Sequence, residues 1–250
     1  MTHREPRIIC LIPARKGSEG LVRKNLRVVG CNTLVSRAIK VARKINWPVH
    51  IILSSDDETV HRRYSKKVDT FIKRRRELSR SDSLIADVIL DALASLTDVH
   101  DSDYFLLLEP SSPNRNIRDI NIAIQTMINN NYSSLVTVSP VDEKYHPYKV
   151  LKAKKNLTLT AFIDKSPKIF NRQEITSNAY YKNGVAYLYK IDVVKNLEPT
   201  KFDLQNYLVT DHRVSNIDTD IDLWVARYLL FRGFLSHFKS LIKESFRFSS

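Results

Sequence analysis

Two kinds of hydrophobic pattern alternate along the first 140 residues of this 250-residue chain. Short apolar runs, such as Arg7 to Pro13 and Tyr104 to Leu108, are typical of strands buried on both faces of a sheet. Between such runs, residues such as Ile85, Val88 and Ile89 recur at helical spacing and predict amphipathic helices. The alternation predicts an α/β, Rossmann-like three-layer fold with a mostly parallel central sheet. Ligands are then expected at the carboxyl ends of the strands.

The same patterns place further elements in this half of the chain. Strands are predicted at 7–13, 49–53, 70–73, 104–108 and 134–138, and helices at 34–42, 85–96 and 117–128. The polar stretch from Ser54 to Asp57 is interpreted as a strand end followed by a helix cap, and Ser83 as the cap of the helix that follows it.

The pattern changes after Pro140. Val150 to Ile163 mixes alternating residues with lysines, Gly184 to Tyr189 is strand-like, and no clear helix is predicted before Asp220 to Leu230. We therefore expect one domain over residues 1–230, with a small antiparallel excursion at about 140–190. Residues 231–250 form a basic, aromatic C-terminal extension whose apolar residues at helical spacing suit an added helix or a contact with a partner.

Composition narrows the possible environments and partners. Cys10 and Cys31 lack a metal-binding spacing and argue for a reducing compartment, and no apolar run approaches the ~20 residues of a membrane span. A cytoplasmic protein is expected. The net charge of +13 suits nucleic acid, an anionic surface or a polyphosphate substrate. Because the basic residues are dispersed and no nucleic-acid-binding motif is present, a nucleic-acid partner is not expected.

A cationic loop follows the first predicted strand. It runs from Ile12 to Gly20, continues through Arg23 to Asn25, and has four basic side chains: Arg15, Lys16, Arg23 and Lys24. Backbone amides exposed by small residues can cradle phosphate oxygens, and the basic side chains can neutralise a triphosphate. The loop matches neither the Walker motif nor the Rossmann glycine motif. A solvated basic surface loop is the alternative interpretation.

The Pro-Ala-Arg-Xaa-Gly-Ser-Xaa-Gly stretch in this loop resembles the nucleotide-binding motif of the CMP-sialic acid synthetases, or acylneuraminate cytidylyltransferases, whose wider group includes the CMP-Kdo synthetases. The resemblance covers about residues 7–230. Further stretches resemble that family in the same order: Ser54–Asp57, Arg74–Asp82, Leu107–Arg115, His146–Lys149, Asn171–Glu174, Asn183–Tyr187 and Ile217–Asp222.

The resemblance implies a reaction in which the anomeric hydroxyl of an acidic keto-sugar attacks the α-phosphorus of CTP and pyrophosphate leaves. Mg²⁺, or another divalent cation, would offset the phosphate charge. The implied sugar is of the sialic-acid type, which includes legionaminic and pseudaminic acids. The implied assembly is a homodimer in which the excursion of each subunit reaches over the partner's active site.

Roles are carried over position by position. Arg15, Lys24 and Asp218 are the implied catalytic residues, with Asp218 either holding the metal or assisting deprotonation of the hydroxyl. The implied nucleotide contacts are Pro13, Ala14, Arg15, Ser18, Asn25, Arg74 and Ala86. The implied sugar contacts are Glu109, Ser111, Ser112, Arg172, Gln173 and Tyr187, and the implied metal ligands are Asp218, Asp220 and Asn216. His146 and Lys149 are implied as contributions from the neighbouring subunit, with a structural role as the alternative.

Three positions depart from the family. Glu19 replaces a Lys, Glu109 replaces a Gln, and Asn216 replaces an Asp. An ionised Glu109 can only accept hydrogen bonds and would repel the acid group of a sugar, which indicates an altered sugar or lost activity. Three hypotheses therefore stay open: a CMP transferase for a sialic-acid-type sugar, a transferase for another acidic sugar such as Kdo or for another nucleotide, and an inactive nucleotide-binding relative.

Overall fold

The computed structural model describes residues 5–17, 20–155, 157–163, 178–196, 206–210 and 216–247, with side chains in the last helix described to residue 233. The strands are β1 (Ile8–Pro13), β2 (Val28–Val29), β3 (Asn32–Thr33), β4 (Val49–Ser55), β5 (Thr70–Lys73), β6 (Tyr104–Leu107), β7 (Ser134–Pro140), β8 (Leu151–Ala153), β9 (Leu159–Ala161), β10 (Tyr180–Lys190) and β11 (Asn206–Val209). The helices are α1 (Leu34–Ala42), α2 (Glu58–Tyr64), α3 (Ile85–Ala94), α4 (Ile117–Asn129), α5 (Ile191–Asn196) and α6 (Asp220–Arg247).

A seven-stranded sheet with the order β11-β7-β10-β6-β1-β4-β5 forms the middle layer. All neighbouring strands are parallel except β10, which is antiparallel to both β6 and β7. Residues Ile8 to Ile12 of β1 are fully buried because helices cover both faces: α1, α2 and α4 pack on one face, and α3 and α5 on the other. The predicted three-layer α/β fold with a mostly parallel sheet is confirmed.

The elements predicted in the first half are present, and one cap is corrected. Asp57 caps α2 by accepting a hydrogen bond from the amide of Thr59 (2.7 Å), as the polar stretch after β4 predicts. Ser83 does not cap α3, because the helix begins at Ile85 and Leu84 occupies the cap position. The Ser83 hydroxyl donates instead to the backbone carbonyl of Glu77 (2.7 Å).

The second half contains the predicted antiparallel excursion, in which β8 pairs with β9. The strand β10 then lies in the central sheet, antiparallel to its neighbours β6 and β7. Two features differ from the prediction, the short helix α5 and the edge strand β11, whereas helix in the C-terminal extension agrees with it, since α6 continues to Arg247. One helical turn or four residues of strand are too short to establish a period, so sequence pattern misses both. Within the described residues, no helix is long and apolar enough to cross a membrane.

Asn183 forms a buried polar cluster where β10 changes register against β7. Its side-chain amide donates to the hydroxyls of Ser139 (2.9 Å) and Thr210 (2.7 Å), and its oxygen accepts from the hydroxyl of Thr137 (2.8 Å). Gly184 follows with a φ of +72°, and a Cβ there would lie only 2.6 Å from the Ser112 hydroxyl. The cluster therefore fixes an irregular backbone that glycine alone fits.

We expect Asn183→Ala to lower the free energy of unfolding by about 3 kcal/mol, because three buried hydroxyls each lose a hydrogen bond at once. Urea unfolding followed by circular dichroism measures this loss. Asn129→Ala, which removes an exposed pair with Gln125, is the matched control and should cost about 0.5 kcal/mol or less. Equal losses in the two variants would contradict a structural role for the cluster.

Candidate active site

A cleft of about 400 Å³ opens at the carboxyl ends of the parallel strands β1 and β6, where the fold predicts a ligand site. Its lining combines four cations with two carboxylates, so the cleft carries a net positive charge suited to an anionic ligand. The lining residues are Pro13, Arg15, Gly20, Lys24, Asn25, Arg74, Leu78, Arg80, Ser81, Ser83, Ile85, Val88, Glu109, Pro110, Ser111 and Asp218.

The loop after β1 is fastened to β4 by its backbone. The amide of Ala14 donates to the carbonyl of Ser54 (2.9 Å), and the carbonyl of Ala14 accepts from the hydroxyl of Ser55 (2.6 Å). The side-chain amide of Asn25 donates to the carbonyl of Arg15 (2.9 Å). Asn25 thus holds the loop in a shape that leaves the Arg15 side chain on the cleft wall.

Arg74 places a buried positive charge on the cleft wall. It is 6% exposed, and its guanidinium donates to the hydroxyl (3.1 Å) and the carbonyl (3.0 Å) of Ser54. Burial lowers the pKa of Arg74 to about 10, which still leaves it charged at neutral pH. Among the described residues, no carboxylate lies within ion-pair distance of it. A buried cation without a paired anion is stabilised when an anionic ligand binds.

Lys24 and Asp218, 194 residues apart in sequence, meet at the cleft with a distance of 3.0 Å between Nζ and a carboxylate oxygen. The Asp222 carboxylate positions Asp218 by accepting from its amide (3.1 Å) and from the amide and hydroxyl of Thr219 (both 2.8 Å). Gly20 packs directly on the Asp218 carbonyl, where a Cβ would overlap with the carbonyl oxygen. The β1 loop and the start of α6 are therefore fitted to each other.

Glu109 follows β6 and is held in place through its backbone. The buried guanidinium of Arg115 donates to the carbonyls of Glu109 (2.5 Å) and Gly184 (2.9 Å), which joins the end of β6 to β10. Burial raises the pKa of the Glu109 carboxyl and also that of the Tyr187 hydroxyl, the latter to about 12. Both side chains thus favour their protonated forms more strongly than they would in water.

Eight of the sequence-predicted residues line the cleft together: Pro13, Arg15, Lys24, Asn25, Arg74, Glu109, Ser111 and Asp218. The structure does not place the other described candidates on its wall. Ala14, Ala86 and Ser112 are buried behind it, Tyr187 is half-buried on β10, and Asn216 and Asp220 are exposed outside it. Ser18, Arg172 and Gln173 lie outside the described residues.

Other implied features also have a defined place. His146 is 5% exposed and Lys149 pairs with Glu143 (3.0 Å), both away from the cleft of the same chain. In the part of the chain that the structure describes, no group of three or more His, Cys, Asp or Glu side chains could hold a metal by itself.

One wall of the cleft was given no site role from the sequence, although part of it lies in the stretch Arg74–Asp82 that resembles the family. It is formed by the segment between β5 and α3 and the first turn of α3: Leu78, Arg80, Ser81, Ser83, Ile85 and Val88. The signal that could have found it is position, since this segment follows the carboxyl end of β5. Arg115 was also missed as a positioning residue, because nothing in sequence shows that its guanidinium bonds two backbone carbonyls.

Comparisons with known proteins identify several similar chains. Similar proteins include the post-translational flagellin modification protein B of Campylobacter coli, 24% identical over 89% of this chain and 94% of that protein. The CMP-N,N'-diacetyllegionaminic acid synthase of Legionella pneumophila is 28% identical over 90% of this chain and 96% of its own length. The N-acylneuraminate cytidylyltransferase of Escherichia coli is 27% identical over 73% of this chain, which spans only 42% of that enzyme.

A solved structure of a CMP:2-keto-3-deoxy-manno-octonic acid synthetase complexed with CTP has a TM-score of 0.66 and 16% identity, covering 91% of this chain and 99% of that one. At this identity the likeness shows the fold alone. The family model described as cytidylyltransferase matches residues 9–205, which include the β1 loop, Arg74 and Glu109. On this match, and with a cationic cleft at the expected edge of the sheet, the chain belongs to the cytidylyltransferase family.

Proposed function

We propose that this chain transfers CMP from CTP to an acidic sugar of the sialic-acid type and releases pyrophosphate. The observation that carries the proposal is the meeting of Lys24 and Asp218 across a cleft that also presents the buried cation of Arg74. A triphosphate needs several fixed cations, and a cleft at the carboxyl edge of a parallel sheet supplies them without reorganisation.

In the proposed reaction, a sugar hydroxyl oxygen bonds to the α-phosphorus, the bond from the α-phosphorus to the bridging oxygen of the β-phosphate breaks, and pyrophosphate carries away the electron pair. Arg15, Lys24 and Arg74 hold the phosphates and offset the charge that grows on the leaving group. The hydroxyl proton passes to a carboxylate or to water. Positioning and electrostatics account for most of the catalysis in such a step.

The cleft fits a divalent cation that is shared with the substrate. Mg²⁺ commonly takes one or two carboxylates together with substrate phosphates, and Asp218 is an exposed carboxylate on the cleft wall. When bound, the ion would offset phosphate charge. Lys24 would hold the phosphates beside Asp218, and Asn216 and Asp220, the exposed residues two positions to either side of Asp218, would be the further candidate ligands.

The names of the relatives support a nonulosonic acid, the class of acidic sugars of the sialic-acid type, as the sugar. The Legionella pneumophila relative is named for N,N'-diacetyllegionaminic acid and matches along nearly its whole length, and the Escherichia coli relative is named for N-acylneuraminate. Kdo remains the second candidate, on the fold likeness alone. Because Glu109 replaces the family's Gln, the experiment below also tests the hypothesis of an inactive, nucleotide-binding relative.

We also propose a homodimer formed through the β8–β9 excursion. Its support is a set of apolar side chains on and beside this hairpin that face solvent in the single chain: Leu151 (54% exposed), Leu159 (61%) and Phe162 (61%). Isolated exposed apolar residues are common, but a cluster of this kind is typical of an interface. Light scattering of the purified protein measures the mass, and a monomer at micromolar concentration would contradict the proposal.

The direct test is pyrophosphate release from CTP with a panel of sialic, legionaminic, pseudaminic and Kdo acids. We expect release with CTP and one nonulosonic acid, no release with ATP or UTP, and loss of release when EDTA removes divalent cations. Release with Kdo alone would support the second candidate. If CTP binds but pyrophosphate is released with none of the acids, the result would support an inactive relative.

Arg74→Lys should weaken CTP binding by about 10-fold, because lysine cannot keep both hydrogen bonds to Ser54 while presenting charge to the cleft. Isothermal titration calorimetry with CTP measures the change. Arg75→Lys is the matched control, since Arg75 is exposed and pairs with Asp91 outside the cleft. Equal affinities for Arg74→Lys and wild type would rule out Arg74 as a phosphate contact.

A further inference from the structure

The Glu109 side chain lines the cleft, and its carboxylate has no hydrogen-bond or ion-pair partner among the residues that the structure describes. Glu109 lines the cleft beside Ser111 and is only partly accessible to solvent. Its backbone carbonyl accepts from Arg115, but among the described residues no group donates a hydrogen bond to either oxygen of its side chain. No described cation lies within 4 Å of it. An enclosed carboxylate in this state is costly until a ligand supplies a donor.

The described cations near the Glu109 carboxylate form their hydrogen bonds and ion pairs with other groups. The Arg115 guanidinium bonds the carbonyls of Glu109 and Gly184, and Lys24 pairs with Asp218. Tyr187 faces Glu109 from β10 and, with a pKa raised to about 12, adds no charge at neutral pH. Burial raises the pKa of Glu109, the negative charge of Asp218 adds to that effect, and Arg115 and Lys24 oppose it. The described residues therefore leave the charge of this carboxylate incompletely compensated.

The chemistry of a carboxylate limits what can complete the site. An ionised carboxylate only accepts hydrogen bonds, so a second carboxylate on a ligand would be repelled. An acylamino group offers one neutral N–H. A protonated amino group offers three donors and the opposite charge, and charge-assisted hydrogen bonds are roughly twice as strong as neutral ones. The ligand group that best matches an ionised Glu109 is thus an ammonium, whose positive charge favours the ionised form over the protonated one.

We propose that Glu109 is a specificity-determining residue that selects acidic sugars carrying a free, protonated amino group over their acylamino counterparts. This inference rests on the proposed function, because it assigns a substrate class to the same cleft. The cations Arg15, Lys24 and Arg74 would bind the triphosphate, and Glu109 would bind a cationic substituent of the sugar. The substrate is then a zwitterion, with a carboxylate and an ammonium on one sugar.

The test compares one nonulosonic acid with a free amino group and its N-acetylated derivative as substrates for CTP-dependent pyrophosphate release. The wild-type protein should favour the free amine in kcat/KM by about 10- to 100-fold. Glu109→Gln keeps the size of the side chain but removes the charge, and should lower this preference by about the same factor, mainly through KM for the amine. Glu58→Gln, at an exposed position of α2 outside the cleft, is the matched control and should leave the preference unchanged.

Two outcomes overturn the inference while the proposed function stands: wild type favours the N-acetylated acid, or Glu109→Gln keeps the wild-type preference. If none of the acids supports pyrophosphate release, the proposed function is contradicted instead. Calorimetric binding of the two acids to the CTP-loaded protein then decides the inference separately. A preference for the amine that Glu109→Gln loses supports it, and equal binding of the two acids overturns it. Circular dichroism confirms that each variant is folded.

Discussion

The candidate site depends on one buried interaction, the donation of two hydrogen bonds by the Arg115 guanidinium to the carbonyls of Glu109 and Gly184. Burial lowers the pKa of Arg115 to about 10, and it remains a cation in the protein interior at neutral pH. Because β10 runs antiparallel to β6, the two carbonyls belong to strands that reach this edge from opposite directions. One cation therefore aligns the sheet at the point where its chain direction reverses.

A second set of contacts brings the C-terminal helix back to the same edge. The amide of Ile217 donates to the carbonyl of Ser111 (2.8 Å), and the side-chain amide of Asn114 donates to the carbonyl of Ala226 (3.1 Å). Leu21, Leu34 and Leu223 pack together beneath these contacts. The cleft is thus assembled from the first, middle and last parts of the described chain, and these contacts bring Asp218 to Lys24 across 194 residues of sequence.

The sequence predicted the architecture well because strand and helix periods are local properties. The buried runs of β1 and β6 and the apolar face of α3 each carry their own signal. It also predicted several cleft residues, through the resemblance and through their position after strands. It could not predict that both backbone groups of Ala14 bond to β4, nor that no described group donates to the Glu109 side chain. Such facts depend on distances between segments that are far apart in sequence.

The contacts of Arg115 have a consequence for how such a site can change over time. They involve only the carbonyl of residue 109, which every amino acid possesses, and leave its side chain outside the framework of the fold. A mutation at this position can therefore alter what the cleft recognises while the sheet edge keeps its shape. Diversification of substrate choice within a lineage is then open to single substitutions, without compensating changes elsewhere in the domain.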